Sequence, residues 1–153
     1  QINQGLDGIA IGTQCGQFNQ GEESIAVGRD AGFQDQRGSC VAIGRTSGRL
    51  NQGEGSVAVG RSAGFQDQSN NCVAIGRNTG LFNQGANSIA IGFNAGFQDQ
   101  SANSIILNAT GSNFNGNGEE TFNVKPIRGV AHGLGVGVMK YDPATGEITY
   151  STD

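Results

Sequence analysis

The sequence predicts an all-β fold: a parallel β-roll or β-solenoid of 16-residue coils, followed by a small C-terminal β-hairpin region. Three observations carry this. One short phrase recurs with a 16-residue period, two glycines recur at fixed offsets within each copy, and large apolar side chains are too few for a conventional core.

The phrase reads IAIG at 9–12, IAVG at 25–28, VAIG at 41–44, VAVG at 57–60, VAIG at 73–76 and IAIG at 89–92, with a degenerate IILN at 105–108. Its alternation is that of a strand, with Ile9 and Ile11 on one side and Ala10 on the other. The β-branched residues are expected to stack as aliphatic ladders along the coil interior. The opposite face is Ala10, Ala26, Ala42, Ala58, Ala74 and Ala90, a column that never accepts a larger residue and so implies close approach of another layer or another chain. At Ile106 the rule breaks, and the regular stack is expected to end there.

Gly follows each phrase (Gly12 to Gly92) and recurs four positions later (Gly16 to Gly96), marking two corners per coil. A second short strand or turn ends in Asn-Gln or Asp-Gln, as at Asn19-Gln20 and Asp35-Gln36, where stacked amides can hydrogen-bond from coil to coil. Seven rungs at about 4.8 Å make a prism of about 30–35 Å.

A finer period lies beneath. QFNQG, RLNQG and LFNQG (17–21, 49–53, 81–85) alternate with FQDQ (33–36, 65–68, 97–100), so like meets like with a 32-residue period. The one-position move of the bulky residue is expected to carry it to the opposite face of a strand. Either 16-residue coils alternate their Phe/Leu contacts, which is the favoured reading, or the chain winds in 32-residue turns.

Three segments follow: 1–107 as the solenoid of seven repeats, 108–120 (NATGSNFNGNGEE) as a Gly/Asn-rich linker, and 121–153 as a C-terminal β-hairpin and trimerisation region. In the last, Pro126 interrupts FNVKPIRGV, which implies an edge strand or crossover. Asp142-Pro143 opens a turn that Gly146 closes.

With 35% hydrophobic residues, no Trp and 27 glycines in 153 residues, a single chain buries little apolar surface, and association between chains is the obvious remedy. Net charge is −4 with no basic stripe, which argues against nucleic acid as a partner. No apolar run approaches the roughly 20 residues that cross a bilayer, so no membrane insertion is expected. The chain opens in mid-repeat, Asn3-Gln4-Gly5 matching Asn19-Gln20-Gly21, and reads as a processed product or part of a longer chain.

The cysteines read as packing. Cys40 and Cys72 share a column with Ser24, Ser56, Ser88 and Ser104, and Cys15 shares one with Ala31, Ser47 and Ala63. Cys40 and Cys72 lie two coils, roughly 9–10 Å, apart, too far for a disulfide. Thiols of this kind suit a reducing compartment, with pairing between chains left open by the odd count.

The phrases NSIAIG (87–92), GSVAVG (55–60) and ESIAVG (23–28) resemble the head repeats of trimeric autotransporter adhesins. The resemblance covers about 1–107 and implies a left-handed parallel β-roll packed as a homotrimer, although the family's usual repeat is slightly shorter. SIILNATGS (104–112), TFNVKPIRG (121–129) and VMKYDPATGEITYS (138–151) resemble the segment after such repeats in fibre proteins of phages and large DNA viruses, where a cleavable trimerising chaperone often follows. The combination implies a homotrimeric viral fibre or tail-appendage subunit on the virion surface, a structural protein that helps attach the particle to a host-surface glycan or protein. The alternative is the head of a bacterial trimeric adhesin.

Arg29, Arg45, Arg61 and Arg77 form a column of like charges roughly 5 Å apart. It is a candidate ladder for an anionic glycan. Pairing with Asp35, Asp67, Glu22, Glu54 or a neighbouring chain's acids is the favoured reading. Asp35, Asp67 and Asp99 sit in expected turns and read as turn stabilisers, since one carboxylate per site is thin support for Ca²⁺. Phe33, Phe65 and Phe97, with Phe18 and Phe82, read as trimer or coil packing before a sugar-stacking platform.

His132 stands in a Gly-rich stretch with no Ser or Cys arrangement around it, and Glu119-Glu120 are adjacent in a linker, poor geometry for a glycosidase pair. The Asn108-Ala109-Thr110 sequon matters only in a eukaryotic secreted chain. No catalytic residue, metal site or cofactor is therefore expected, and the chain reads as no enzyme. A polysaccharide-degrading tailspike lacks its clustered acids, and an ice-binding solenoid lacks a regular Thr ladder, since Thr13, Thr46 and Thr79 are scattered.

Overall fold

A computed structural model describes residues 2–127 and 138–151. Among them there is no helix. The first coils run β1 (Ile2–Gln4), β2 (Ile9–Ile11), β3 (Phe18–Gln20), β4 (Ile25–Val27), β5 (Gln34–Gln36) and β6 (Val41–Ile43). The next are β7 (Leu50–Gln52), β8 (Val57–Val59), β9 (Gln66–Gln68), β10 (Val73–Ile75), β11 (Phe82–Gln84) and β12 (Ile89–Gly92). The chain ends with β13 (Ile105–Asn108), β14 (Phe122–Lys125), β15 (Val138–Asp142) and β16 (Glu147–Ser151).

Two parallel sheets face each other across a roll. One holds β1, β3, β5, β7, β9 and β11 in that order, and we call it the amide sheet. The other, the aliphatic sheet, runs β2, β4, β6, β8, β10, β12, β13 and β14. Ile25 pairs Val41, Ala26 pairs Ala42 and Val27 pairs Ile43, so the turn is a 16-residue coil, lengthened to 17 only between β13 and β14, and a 32-residue turn does not occur. Such short strands are stabilised by their stacking partners, each rung handing its backbone groups to the next.

The interior is the reverse of the expected one. Ala26, Ala42, Ala58, Ala74 and Ala90 are fully buried, whereas the Ile and Val residues beside them face outward, half-buried or exposed. Ala10, in the first full coil, is partly buried against the same core. The space between the sheets decides this. A Cβ added at Gly48 (φ +50°) would lie 2.5 Å from Gln52 Oε1 and 3.1 Å from Ala42 Cβ. No β-branched side chain fits there, and glycine also supplies the left-handed backbone of that corner. The alanines thus meet the opposite layer, and the aliphatic ladders form the outer skin.

Around the alanines the interior is small and polar. Ser24, Cys40, Ser56, Cys72 and Ser88 are buried in one column, and Gln36, Gln52, Gln68 and Gln84 in another. Ser and Cys donate to carbonyls of the following coil, as in Ser24 Oγ to Arg37 O at 2.7 Å and Cys40 Sγ to Gly53 O at 2.9 Å. Cys15, Cys40 and Cys72 are buried and form no disulfide, as their columns imply.

The repeat does not stop at Ile106. That side chain takes the alanine position, fully buried, and packs with Ala90, Ala95 and the half-buried Phe114. The aliphatic sheet continues through β13 to β14, with Ile106 opposite Asn123. Residues 108–120, expected as a linker, lie over the last coil: Asn94 Nδ2 donates to Asn113 Oδ1 at 2.7 Å and Gly96 N to Phe114 O at 2.7 Å. The final turn, from Ile105 to its partner Phe122, is one residue longer than the others and accommodates the isoleucine against Phe114. The β14 strand ends one residue before Pro126, which has no amide hydrogen to extend it. Farther on, β15 and β16 pair antiparallel, with Gly146 N bonded to Asp142 O at 2.8 Å.

Candidate functional site

The chemistry of the described residues lies on the two outward faces of the roll. On the amide sheet the central residue of each rung has a left-handed backbone, with φ between 51° and 55° at Asn19, Asp35, Asn51, Asp67, Asn83 and Asp99. Asn and Asp are the non-glycine residues that tolerate this region best, which explains the column's composition. Asp35 and Asp67 therefore sit within strands β5 and β9 rather than in turns.

The alternation between neighbouring coils finds its cause here. Asn19 Nδ2 donates to Asp35 Oδ1 at 2.8 Å, Asn51 to Asp67 at 2.7 Å and Asn83 to Asp99 at 2.7 Å. Between these outer links, Gln36 Nε2 donates to Gln52 Oε1 at 3.0 Å and Gln68 to Gln84 at 3.1 Å inside the roll. From Asn19 onward successive rungs are thus tied alternately outside and inside, and the first pair is tied outside as well, Asn3 Nδ2 donating to Asn19 Oδ1 at 3.0 Å. Alternating Asn with Asp also keeps carboxylates two rungs, roughly 9–10 Å, apart, where repulsion in water is weak. Hydrogen bonds from Asn19 and then Gln34 hold the Asp35 carboxyl below the ordinary aspartate range.

Beside this ladder runs an open groove of about 730 Å³, lined by Asn19, Asp35, Arg37, Asn51, Asp67 and Ser69 among others. Sequence reading did not single it out, because the left-handed rungs that open it leave no hydropathy signature.

The phenylalanines follow the same alternation but stay on one side. Phe18 and Phe33 meet edge to face at 5.4 Å, and Phe82 meets Phe65 at 6.1 Å and Phe97 at 6.2 Å. Arg49 lies 5.0 Å from the Phe33 ring and 5.6 Å from that of Phe65, filling the gap. The bulky residue does not switch faces, because positions 17 and 18 flank a corner and both project onto one outer ridge. All of these rings are half-buried in the single chain.

The aliphatic sheet turns a different face outward. Ile43, Ile75 and Ile91 are each 39% exposed, Ile11 61% and Phe122 53%. Eight rungs make a continuous apolar strip about 34 Å long. Along one side of it stand Arg29, Arg45, Arg61 and Arg77, all exposed. The pairing expected with Asp35, Asp67, Glu22 or Glu54 does not form within the chain. Among the described residues the only ion pair is Arg29 Nε with Asp30 Oδ2 at 3.8 Å, and Arg77 lies 5.1 Å from the Phe93 ring.

Elsewhere, Asn108 of the sequon is buried, donating to Phe93 O and Ser112 O and accepting from Thr110, so its amide is engaged in the last coil. Burial raises the Cys40 and Cys72 thiols above their ordinary value and keeps them protonated. Among the described residues no group of three or more His, Cys, Asp or Glu could hold a metal ion. His132 lies outside the described residues. No protein-family model, curated protein or solved structure matches the chain.

Proposed function

We propose that this chain is a segment of a homotrimeric fibre, a structural subunit of a viral fibre or tail appendage that contributes to host-surface attachment. The observation that carries the reading is the apolar strip of the aliphatic sheet. A folded monomer would leave Ile11, Ile43, Ile75, Ile91 and Phe122 in water along one flat face, and a patch of that size ordinarily marks an interface. Three copies with this face turned inward bury it. The amide sheet then faces solvent, with its polar groove of Asn and Asp side chains on the side open to a glycan or protein. The 16-residue coils supply rigid length, and the resemblance of the C-terminal segment to viral fibre proteins supplies the setting.

Sedimentation equilibrium of the folded chain tests the assembly. The expected mass is three times 15.7 kDa, and a monomer at micromolar concentration overturns the reading. The full-length sequence separates the two settings: a chaperone domain or capsid-binding segment places the chain in a fibre, a coiled-coil stalk with a membrane anchor in a bacterial adhesin.

A further inference from the structure

The two long edges of the apolar strip carry opposite charge. Where the chain leaves the aliphatic strands, at 12–15, 28–31, 44–47, 60–63, 76–79 and 92–95, the corners hold four arginines and one acid, Asp30. Where it enters them, at 5–8, 21–24, 37–40, 53–56, 69–72, 85–88 and 101–104, they hold Asp7, Glu22, Glu23 and Glu54 against one cation, Arg37. Arg29, Arg45, Arg61 and Arg77 are exposed, and so are the four acids. Apart from Arg29, which meets Asp30, none of these eight groups is in an ion pair within the described residues. Left alone, a column of arginines about 4.8 Å apart repels itself.

We infer that the copies of this chain associate in parallel and head to tail, the arginine edge of each seated against the acidic edge of the next. The inference rests on the homotrimeric reading above and adds direction and register to it. In a ring about the long axis, every contact joins unlike edges, as in any closed heterologous interface. Turning one copy end for end in that ring, its apolar face still inward, sets arginine edge beside arginine edge. The apolar strip favours association in either sense; the charges select one. Arg29 stands on the rung of Glu22 and Glu23 and Arg61 on that of Glu54, whereas the rung of Arg45 carries Arg37 and that of Arg77 carries no second charge. Copies packed without axial shift therefore bring Arg29 and Arg61 of one copy level with the acids of the next, and leave Arg45 flanked by acids one rung above and one rung below. Such seams set orientation and register more than raw affinity.

Charge reversal tests this in the full chain. Arg29→Glu with Arg61→Glu puts acid against acid at each seam, and sedimentation equilibrium at low ionic strength should give a trimer dissociation constant at least about tenfold higher than wild type, since each exposed pair is worth up to about 1 kcal/mol. The gap should narrow in about 1 M salt, where the Debye length is near 3 Å. Adding Glu23→Arg and Glu54→Arg to the same chain restores unlike edges and should restore the trimer. Arg29→Gln with Arg61→Gln gives a milder pair should the reversal prevent folding, judged by β-sheet circular dichroism; its expected signature is a weaker salt dependence. A wild-type monomer would sink the trimeric reading itself. A wild-type trimer that both variant pairs leave as tight and as salt-sensitive as before, or that the quadruple exchange fails to rescue, would overturn the head-to-tail seam alone.

Discussion

On the aliphatic sheet, the residues either side of each buried alanine are Ile and Val; on the amide sheet, the residue beside each buried glutamine is Asn or Asp. Both sheets close over one interior of Ala, Gly, Ser, Cys and Gln, and both follow the same 16-residue period. Their outer faces nevertheless differ in kind. The amide face ties its own rungs together, from Asn19 onward by side-chain hydrogen bonds alternately outside and inside, with the inner Oε1 atoms of Gln20, Gln36, Gln68 and Gln100 left without a hydrogen-bond partner. On the aliphatic face, Ile11, Ile43, Ile75 and Ile91 stay exposed. The contrast teaches that in a roll this thin the interior fixes spacing, and the outer faces are left to decide solubility and partners.

The largest effect should come from the shared interior. Ala58→Leu forces four-carbon bulk into a site with no exposure and glycine corners on the facing wall. The expected loss is about 3 kcal/mol or more, since overpacking here cannot be relieved by rotamer changes. Thermal unfolding followed by circular dichroism would show a large drop in midpoint or no folded state. A variant that melts within a few degrees of wild type would mean that the sheets part easily, and the thin-roll account fails.

An intermediate effect should separate the two faces. Ile43→Thr, Ile75→Thr and Ile91→Thr keep β-branching and strand preference while removing apolar surface from one face. The expected result is a trimer dissociation constant raised at least about tenfold, on a contribution of about 0.8 kcal/mol per lost buried carbon group. The matching triple change on the amide face, Gln34→Thr, Gln66→Thr and Gln98→Thr, should leave the mass at the wild-type value. Equal loss of association from both sets would erase the distinction between the sheets.

Much of this fold was legible in the sequence because its period is a covalent fact. The spacing of the repeated phrase implied the rungs, the paired glycines implied corners, and the Ser/Cys column implied buried small residues. The direction of the strands' faces was not legible. Ile-Ala-Ile alternates identically whichever side is inside, and the usual expectation that larger apolar residues go inward fails when the gap admits only a methyl group. Ile106 misled for a related reason: a large residue in the alanine column looks like the end of the stack, yet it packs against Phe114 in a last turn one residue longer than the rest. The amide ladder was visible as a composition, while its outer-inner alternation depends on left-handed rungs that Asn and Asp permit without announcing.

The smallest effect concerns the polar ladder itself. Asp35 accepts from Asn19 at 2.8 Å and from Gln34 at 3.0 Å, and its carboxyl is held below the ordinary range by those bonds. A carboxyl lowered in the folded state contributes stability above its unfolded value, about pH 3.9, and loses it as pH falls through the folded value. Asp35→Asn keeps an oxygen to accept from Asn19, as Asn103 does from Asn87 at 3.2 Å in the same molecule. At pH 7 the variant should melt within a few degrees of wild type, because only the charge-assisted part of two exposed bonds is lost. Below about pH 4 the two melting curves should converge, wild type having given up its advantage. A gap that widens on acidification would mean that the neutral aspartic acid, not the carboxylate, is the partner the amide ladder selects. The amide face would then owe its order to packing, as the aliphatic face does, rather than to the alternation of amide and charge.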